Sequence, residues 1–341
     1  MNKPNTDLLH AISLYFLAIL SVFIIYLNFP FIFQKNNTCI FIHKQESFNE
    51  FTNDAVKNTR YVTPIVIKIY SKFSHLDRHL EAGEYCFSDH DSIISMMKKI
   101  GRAGREVHKF TLVDGWTYEE MVRHLMLAPS LSDIEILNNQ NAISDILKLS
   151  EKNLEGQFYP DTYYYAYPDT ALKILQQAHN LMEQRVQALY KEPQAHGFYK
   201  NSYELLIAAS IIQKESNDPM DQMFVASVLV NRMKQHMKLQ MDPTVIYGLA
   251  DRHLLLTKQD LKFNSPYNTY LNKGLPPTPI CMPGETALFA AAHPKDSSYI
   301  YYVSKKNGTH QFSETLAEQT KAINQYLLNQ RTEEKPDERD D

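Results

Sequence analysis

The sequence predicts a mixed α+β fold behind one membrane-length N-terminal helix, on three observations. An uncharged apolar run, Ala11 to Phe33 ("AISLYFLAILSVFIIYLNFPFIF"), lies near the start of the chain. Between about residues 60 and 125, β-branched stretches alternate with short helical patterns. From Thr170 onward, three-and-four apolar spacing dominates, interrupted by a Pro-rich loop and one late strand. The 341 residues suffice for two or three compact units. With 35 basic and 39 acidic residues the net charge is −4, which excludes the electrostatic footprint of a nucleic-acid binder.

The elements follow in order. Residues 11–33 are long enough to cross a bilayer as a helix. No small-residue cleavage site follows the run, so it reads as a retained anchor behind a short cytoplasmic segment, 1–10. Lys3 before it and Lys35 after it leave the charge bias across the span nearly silent. Residues 34–60 are polar and unpatterned, a juxtamembrane linker. "YVTPIVIKIY" (Tyr61–Tyr70) is β-branched and partly alternating, a strand. Gly83 turns into a short second strand. Asp91 or Ser92 caps a helix through Ile93, Met96, Met97 and Ile100. "REVHKFTLVDGWTYEEMVRHL" gives a strand, an Asp-Gly turn and a Thr-capped helix. Two short helices precede the turn-rich, aromatic "LEGQFYPDTYYYAYPDT". Thr170–Tyr190 is an amphipathic helix with Leu175, Ala178, Met182, Val186 and Leu189 along its stripe. Asn201 or Ser202 caps the next, and Asp218-Pro219 starts its successor. A strand at Tyr299–Ser304, a turn and a closing helix lead to a charged tail, 331–341, of disordered composition.

Cysteines number three, Cys39, Cys86 and Cys281, far apart and without CxxC or metal-ligand spacing. Unpaired structural thiols are the expectation, with a Cys86–Cys281 bridge left open. "SMMK" (Ser95–Lys98) lacks the companion elements that serine chemistry of this pattern needs. No GxSxG, HExxH or P-loop occurs, and neither metal nor cofactor is expected. Among the 13 histidines, His293 and His310 stand out by lying near turns.

One carboxylate has the right setting for chemistry. On a helix, Leu205, Ala208, Ile212 and Glu215 share a face, so Glu215 extends a buried stripe. Burial raises a carboxyl pKa, and a carboxyl protonated near neutrality can serve as a general acid. The competing reading is that Glu215 ends the helix and turns to water beside Lys214.

From Leu205 onward the sequence resembles the endolytic murein transglycosylase family, also called YceG-like. The resemblance rests on "IAASIIQKES", "VASVLVNRMKQHMKLQMDPTVIYGL", "SPYNTYLNKGLPPTPICMPGETALFAAAHP" and "YIYYVSKKNGTHQFSETLAE", with "LEGQFYPDTY", "LEAGEY" and "VDGWTYEEM" upstream. The resemblance implies cleavage of the β-1,4 bond between N-acetylmuramic acid and N-acetylglucosamine within peptidoglycan glycan strands. The product end is a 1,6-anhydro sugar. The family's catalytic Glu maps onto Glu215. The resemblance also implies an inner-membrane anchor, an extracytoplasmic catalytic region at 111–330, a LysM-like module at 61–110, and penicillin-binding-protein synthases as partners. Gln240, Asp242, Thr244, Tyr247, Asn268, Tyr270, Glu155 and Asp161 are the candidates to line a sugar cleft; Asp242-Pro243 and Asp161-Thr162 equally suit turns and caps. Asn231 and Arg232 are expected to support the Glu215 loop. The chain departs from the family pattern at Asp114 (commonly Glu), Met241 and Ser216 (commonly Thr), and Gln319 (often His). Two other readings stay open: a two-carboxylate muramidase using Asp218, Asp221 or Asp242 beside Glu215, and a non-catalytic peptidoglycan-binding scaffold.

Overall fold

The apolar run forms helix α1 (Thr6–Asn28), and its stretch His10–Asn28 is long and apolar enough to cross a membrane. This computed structural model describes residues 6–30, 38–57, 59, 62–75, 80–102, 104–149, 152–249 and 255–328; the charged tail expected at 331–341 lies outside them. The fold is mixed α+β and divides into two units. The first is Met1–Lys109 with Ala128–Asp133 and Tyr164–Thr170; the second is Phe110–Leu127, Ile134–Tyr163 and Ala171–Asp341.

The first unit corrects three expectations. The segment read as an unpatterned linker contains strand β1 (Thr38–Ile42) and helix α2 (Phe48–Lys57). The segment read as a strand is helix α3 (Pro64–Ser74). Pro64 sits at the first helical position, where its missing N–H costs nothing. Ile67 and Ser71, one turn apart, are buried against the unit's core. A helical contact therefore overrides the strand propensity of Ile65, Val66, Ile67 and Ile69. Strand β2 (Gly83–Phe87) runs antiparallel to β1, with Cys39 opposite Cys86. Those two cysteines form a disulfide, whereas Cys281 is free and buried. Unpaired thiols were thus the wrong expectation for Cys39 and Cys86: a ladder between residues 47 positions apart juxtaposes them. Helix α4 (Ile93–Gly101) follows, its N-terminus closed by Ser92 and Ser95 in a capping box. Ile40, Ile42, Phe51, Ile67, Tyr85, Phe87, Met96 and Met97 fill the core, and Leu27 of α1 joins them. Strands β3 (His108–Thr111) and β4 (Thr162–Tyr165) carry the chain across the boundary between the units.

The second unit is built around one helix. Helices α5 (Tyr118–Leu125), α6 (Gln140–Leu147), α7 (Ala171–Tyr190) and the short α8 (Pro193–His196) precede α9 (Ser202–Glu215). Thr117 and Glu120 cap α5, and Asn201 Oδ1 accepts from Glu204 N at the start of α9, as the sequence suggests. Every residue of α9 from Leu205 to Gln213 is buried. Such a helix is apolar all round because it sits inside the unit. Around it lie α7, α10 (Pro219–Lys234), α11 (Asp242–Gly248) and α12 (Glu285–Ala292). Strands β5 (Tyr301–Ser304) and β6 (His310–Ser313) form an antiparallel hairpin, followed by α13 (Leu316–Ile323). Gly308, at φ +88°, lets the chain reverse between the strands.

Candidate active site

Glu215 is the last residue of α9, and Ser216 leaves the helix in an extended conformation. The turn that follows is tightly made. Gln222 Nε2 donates to Ser216 O at 2.7 Å, Asp218 N donates to Ser216 Oγ at 3.2 Å, and Asp218 Oδ1 caps α10 by accepting from Asp221 N at 2.8 Å. On the other side, Ser210 and Gln213 of α9 clamp the loop before α12. Ile280 N donates to Ser210 Oγ at 3.0 Å, and Gly284 N donates to Gln213 Oε1 at 2.9 Å. The carboxylate therefore stands at the end of a helix whose stretch Leu205–Gln213 is buried, and not on a loop.

The hairpin brings the second set of groups. Ser304 lies opposite His310 and Tyr302 opposite Phe312, so all four side chains share one face of the ladder. The rings of Tyr302 and His310 meet edge to face at 5.0 Å. The Tyr302 phenol interacts with the Glu215 carboxyl and lowers its pKa. Asp221, in the first turn of α10, holds His310 twice: Oδ1 accepts from the backbone N at 2.8 Å and Oδ2 bonds ring Nδ1 at 2.6 Å. Burial alone would raise Asp221, but these bonds hold its carboxyl below the usual range. Arg232 donates through Nε to Ile300 O at 2.7 Å and through its guanidinium to Leu239 O, and Asn231 Nδ2 donates to Ser297 O at 2.8 Å. These two residues brace the strand that carries Tyr302 and the turn that leads to Asp242.

Glu215 is partly buried, and its Oε1 is wholly buried without a hydrogen-bond partner among the described residues. Burial pushes its pKa up to about 7. The Tyr302 phenol and the charges of His310 and Arg232 pull it down, and Asp242 pushes it up. An unpaired, desolvated oxygen favours the protonated form, since a carboxyl proton needs no acceptor as urgently as a buried charge needs donors. A carboxyl with a pKa raised toward neutrality is chemically able to act as an acid or as a base.

The other candidates separate by placement. Asp242, at the start of α11, is exposed, and Tyr270 donates to its Oδ1 at 2.6 Å. Gln240, exposed and at φ +50°, precedes it and donates its backbone N–H to Thr269 O at 3.1 Å. Exposed Gln240 and Asp242 and half-buried Tyr270 thus lie together, and the charge of Asp242 reaches Glu215. Thr244 and Asn268 are fully buried. The Thr244 hydroxyl donates to Met241 O at 2.6 Å, and Asn268 Nδ2 donates to Phe263 O at 2.8 Å, so both shape the wall from inside. Glu155 is buried, accepting from Tyr118 N at 2.9 Å and from the Tyr247 hydroxyl at 3.0 Å. It ties α11 to the start of α5. Asp161 is exposed, and its Oδ1 accepts from Thr162 N at 2.6 Å in a local turn. His293 pairs with Glu192 at 2.6 Å, away from these groups.

Two cavities adjoin Lys214. One of about 590 Å³ is lined by Thr117, Glu120, Pro243, Ile246, Tyr247 and Ile280. Another of about 290 Å³ is lined by Asp114, Trp116, Gln213 and Asn217, with burial raising the Asp114 carboxyl. A third, of about 470 Å³ between α6, α7 and α9, contains none of the candidate residues. Tyr302 is the group that sequence reasoning missed. In "YIYYVS" it reads only as a strand residue, and nothing local marks which tyrosine faces Glu215.

Comparison with known proteins follows the same lines. A model of the YceG-like family matches residues 40–325. A Bacillus subtilis protein named endolytic murein transglycosylase is 38% identical over 177 residues, 51% of this chain and 48% of its own length. A Streptococcus pneumoniae protein of the same name is 28% identical over 156 residues, 44% of this chain and 28% of its own length. The chain therefore spans about half the length, or less, of these curated relatives. A crystal structure of a yceG-like protein from Listeria monocytogenes covers 84% of this chain and 99% of its own, at 27% identity and a TM-score of 0.51.

Proposed function

The chain belongs to the YceG-like family, and from that premise we propose that it is a membrane-anchored endolytic murein transglycosylase with Glu215 as its proton-transfer group. The observation that carries the reading is the state of Glu215: a carboxyl at the end of a buried helix, one oxygen unpaired, with a pKa pushed up to about 7 by burial. Relatives named endolytic murein transglycosylase support the substrate, peptidoglycan glycan strands.

In this mechanism protonated Glu215 gives its proton to the glycosidic oxygen as the bond from that oxygen to the muramic acid anomeric carbon breaks. The resulting carboxylate takes the proton from the six-position hydroxyl of the same sugar as that oxygen bonds to the anomeric carbon. One bond breaks, one forms, the proton returns to Glu215, and no water is consumed. Internal attack competes with water through its effective molarity. Tyr302 steadies the carboxylate between the two steps by hydrogen bonding. Gln240, Asp242 and Tyr270 offer amide, carboxylate and phenol groups to sugar hydroxyls and acetamido groups.

A hydrolytic reading is favoured by one observation. Asp242 is exposed and its charge reaches Glu215, as a second carboxylate would require. Asp221 bonds His310 and Asp218 caps α10, which speaks against either as the second carboxylate. Mass spectrometry of the products from intact glycan strands separates the two: 1,6-anhydro ends support the transglycosylase, and reducing ends sink it.

For location, α1 is read as crossing the inner membrane once, with the two units outside. The Cys39–Cys86 disulfide shortly after α1 supports this, because such bonds persist in oxidising compartments. The LysM-like module stays assigned to 61–110, a span that holds α3, β2 and α4, and penicillin-binding-protein synthases are read as partners.

A further inference from the structure

Helix α3 buries one face and exposes an apolar stripe on the opposite one. Ile67 and Ser71 are buried in the first unit, and α2 packs beside them. The outward face carries Ile65, Ile69 and Phe73, four residues apart in turn, at 67%, 41% and 84% exposure. Phe48 of α2 and the stems of Lys68 and Lys72 flank this stripe and line a shallow groove of about 480 Å³. A helix with a polar outer side needs no such stripe, and three large apolar side chains in one line are not scattered surface residues.

The neighbour that fits this face is given by α1. Its last turns lie in the same unit, with Leu27 in the core and Phe23 and Tyr26 packed on it. Ile24 and Ile25, in those same turns, are half exposed or more. A bilayer that covers Ile24 and Ile25 reaches the depth at which the unit begins. The first unit is then held at the lipid interface rather than on a tether. Lysines that keep their ammonium groups at headgroup level while their stems cover apolar surface complete an interfacial helix.

We propose that the outer face of α3 rests on an anionic phospholipid surface beside α1, with Ile65, Ile69 and Phe73 among the upper acyl chains and Lys68 and Lys72 on headgroup phosphates. The proposal rests on α1 crossing the bilayer. Its consequence is a fixed attitude of the first unit on the membrane.

The test uses the full chain reconstituted in vesicles of phosphatidylethanolamine and phosphatidylglycerol, with plain or brominated acyl chains. The parent has a single tryptophan, Trp116, which serves as the internal reference. The fluorescence added by Phe73→Trp, or independently by Ile65→Trp, is expected to fall at least about twofold in brominated vesicles, while the parent signal is unchanged. Lys68→Gln and Lys72→Gln are each expected to lower the docked-to-undocked ratio about fivefold, as does replacing phosphatidylglycerol by phosphatidylcholine. Equal fluorescence in plain and brominated vesicles, with the chain resisting alkaline carbonate, overturns the proposal and leaves the anchor standing. A blue-shifted but unquenched signal also overturns it, in favour of a second copy or another protein on this face. Release of the chain by carbonate overturns the anchor reading, and this proposal with it.

Discussion

Replacing Glu215 by glutamine removes an ionisable group that the fold holds against its preference, and stability should then depend on pH differently. The native chain keeps the Glu215 proton up to about pH 7, whereas an ordinary glutamate releases it near 4.5. Between those values the native state binds more protons than the unfolded state. The free energy of unfolding therefore falls as pH rises through that window and levels off above it. A separation from 4.5 to about 7, at about 1.4 kcal/mol per pH unit, amounts to roughly 3 kcal/mol. That is an upper figure, since one edge of the side chain reaches water. Glu215→Gln keeps the shape and lacks the titration. Urea unfolding of parent and variant in detergent, followed from pH 4 to 8, reads the difference. The variant is expected to gain on the parent through the window, by up to about 3 kcal/mol at its upper end. A pH-independent difference, or a parent that gains stability as pH rises relative to the variant, refutes the reasoning.

Tyr302→Phe removes the donor that lowers the Glu215 pKa. The alkaline limb of a pH–activity profile should move up by about one unit, in line with the 1.5–3 kcal/mol typical of hydrogen bonds to charged groups; an unmoved limb places Tyr302 outside the proton transfer. Asp221→Asn breaks the buried pair that pins the hairpin to α10, and should cost about 3 kcal/mol in unfolding free energy. Reduction of the Cys39–Cys86 bridge, which closes a 47-residue separation, should destabilise the first unit by up to about 4 kcal/mol, read as a lowered unfolding free energy under reducing conditions.

Much of the second unit is legible in the sequence because its signals are local. Asn201 and Thr117 announce helix starts, Asp218-Pro219 marks the break after Glu215, and the stripe Leu205, Ala208, Ile212 leads to the carboxylate itself. The first unit resists the same reading. In Pro64–Ser74 the β-branched residues alternate well enough to suggest a strand, and the decisive fact is which neighbours bury Ile67 and Ser71. Helix and strand periods overlap over so short a stretch, and only Thr63-Pro64 hints at a helix start. Cys39 and Cys86 pair because a ladder aligns them, which spacing cannot reveal. The candidate site divides in the same way. Glu215 is marked by its own helix, whereas Tyr302 and Asp221 depend on contacts between distant segments. The burial of Thr244, Asn268 and Glu155 depends on packing that motif matching does not see.

The central claim is that Glu215 moves the proton in glycan cleavage. The direct measurement is the rate at which purified full-length parent and Glu215→Gln release 1,6-anhydro-ended fragments from intact glycan strands. Loss of a general acid–base group predicts a fall of about 100-fold or more with strand binding retained. Undiminished release of anhydro ends by Glu215→Gln contradicts the account.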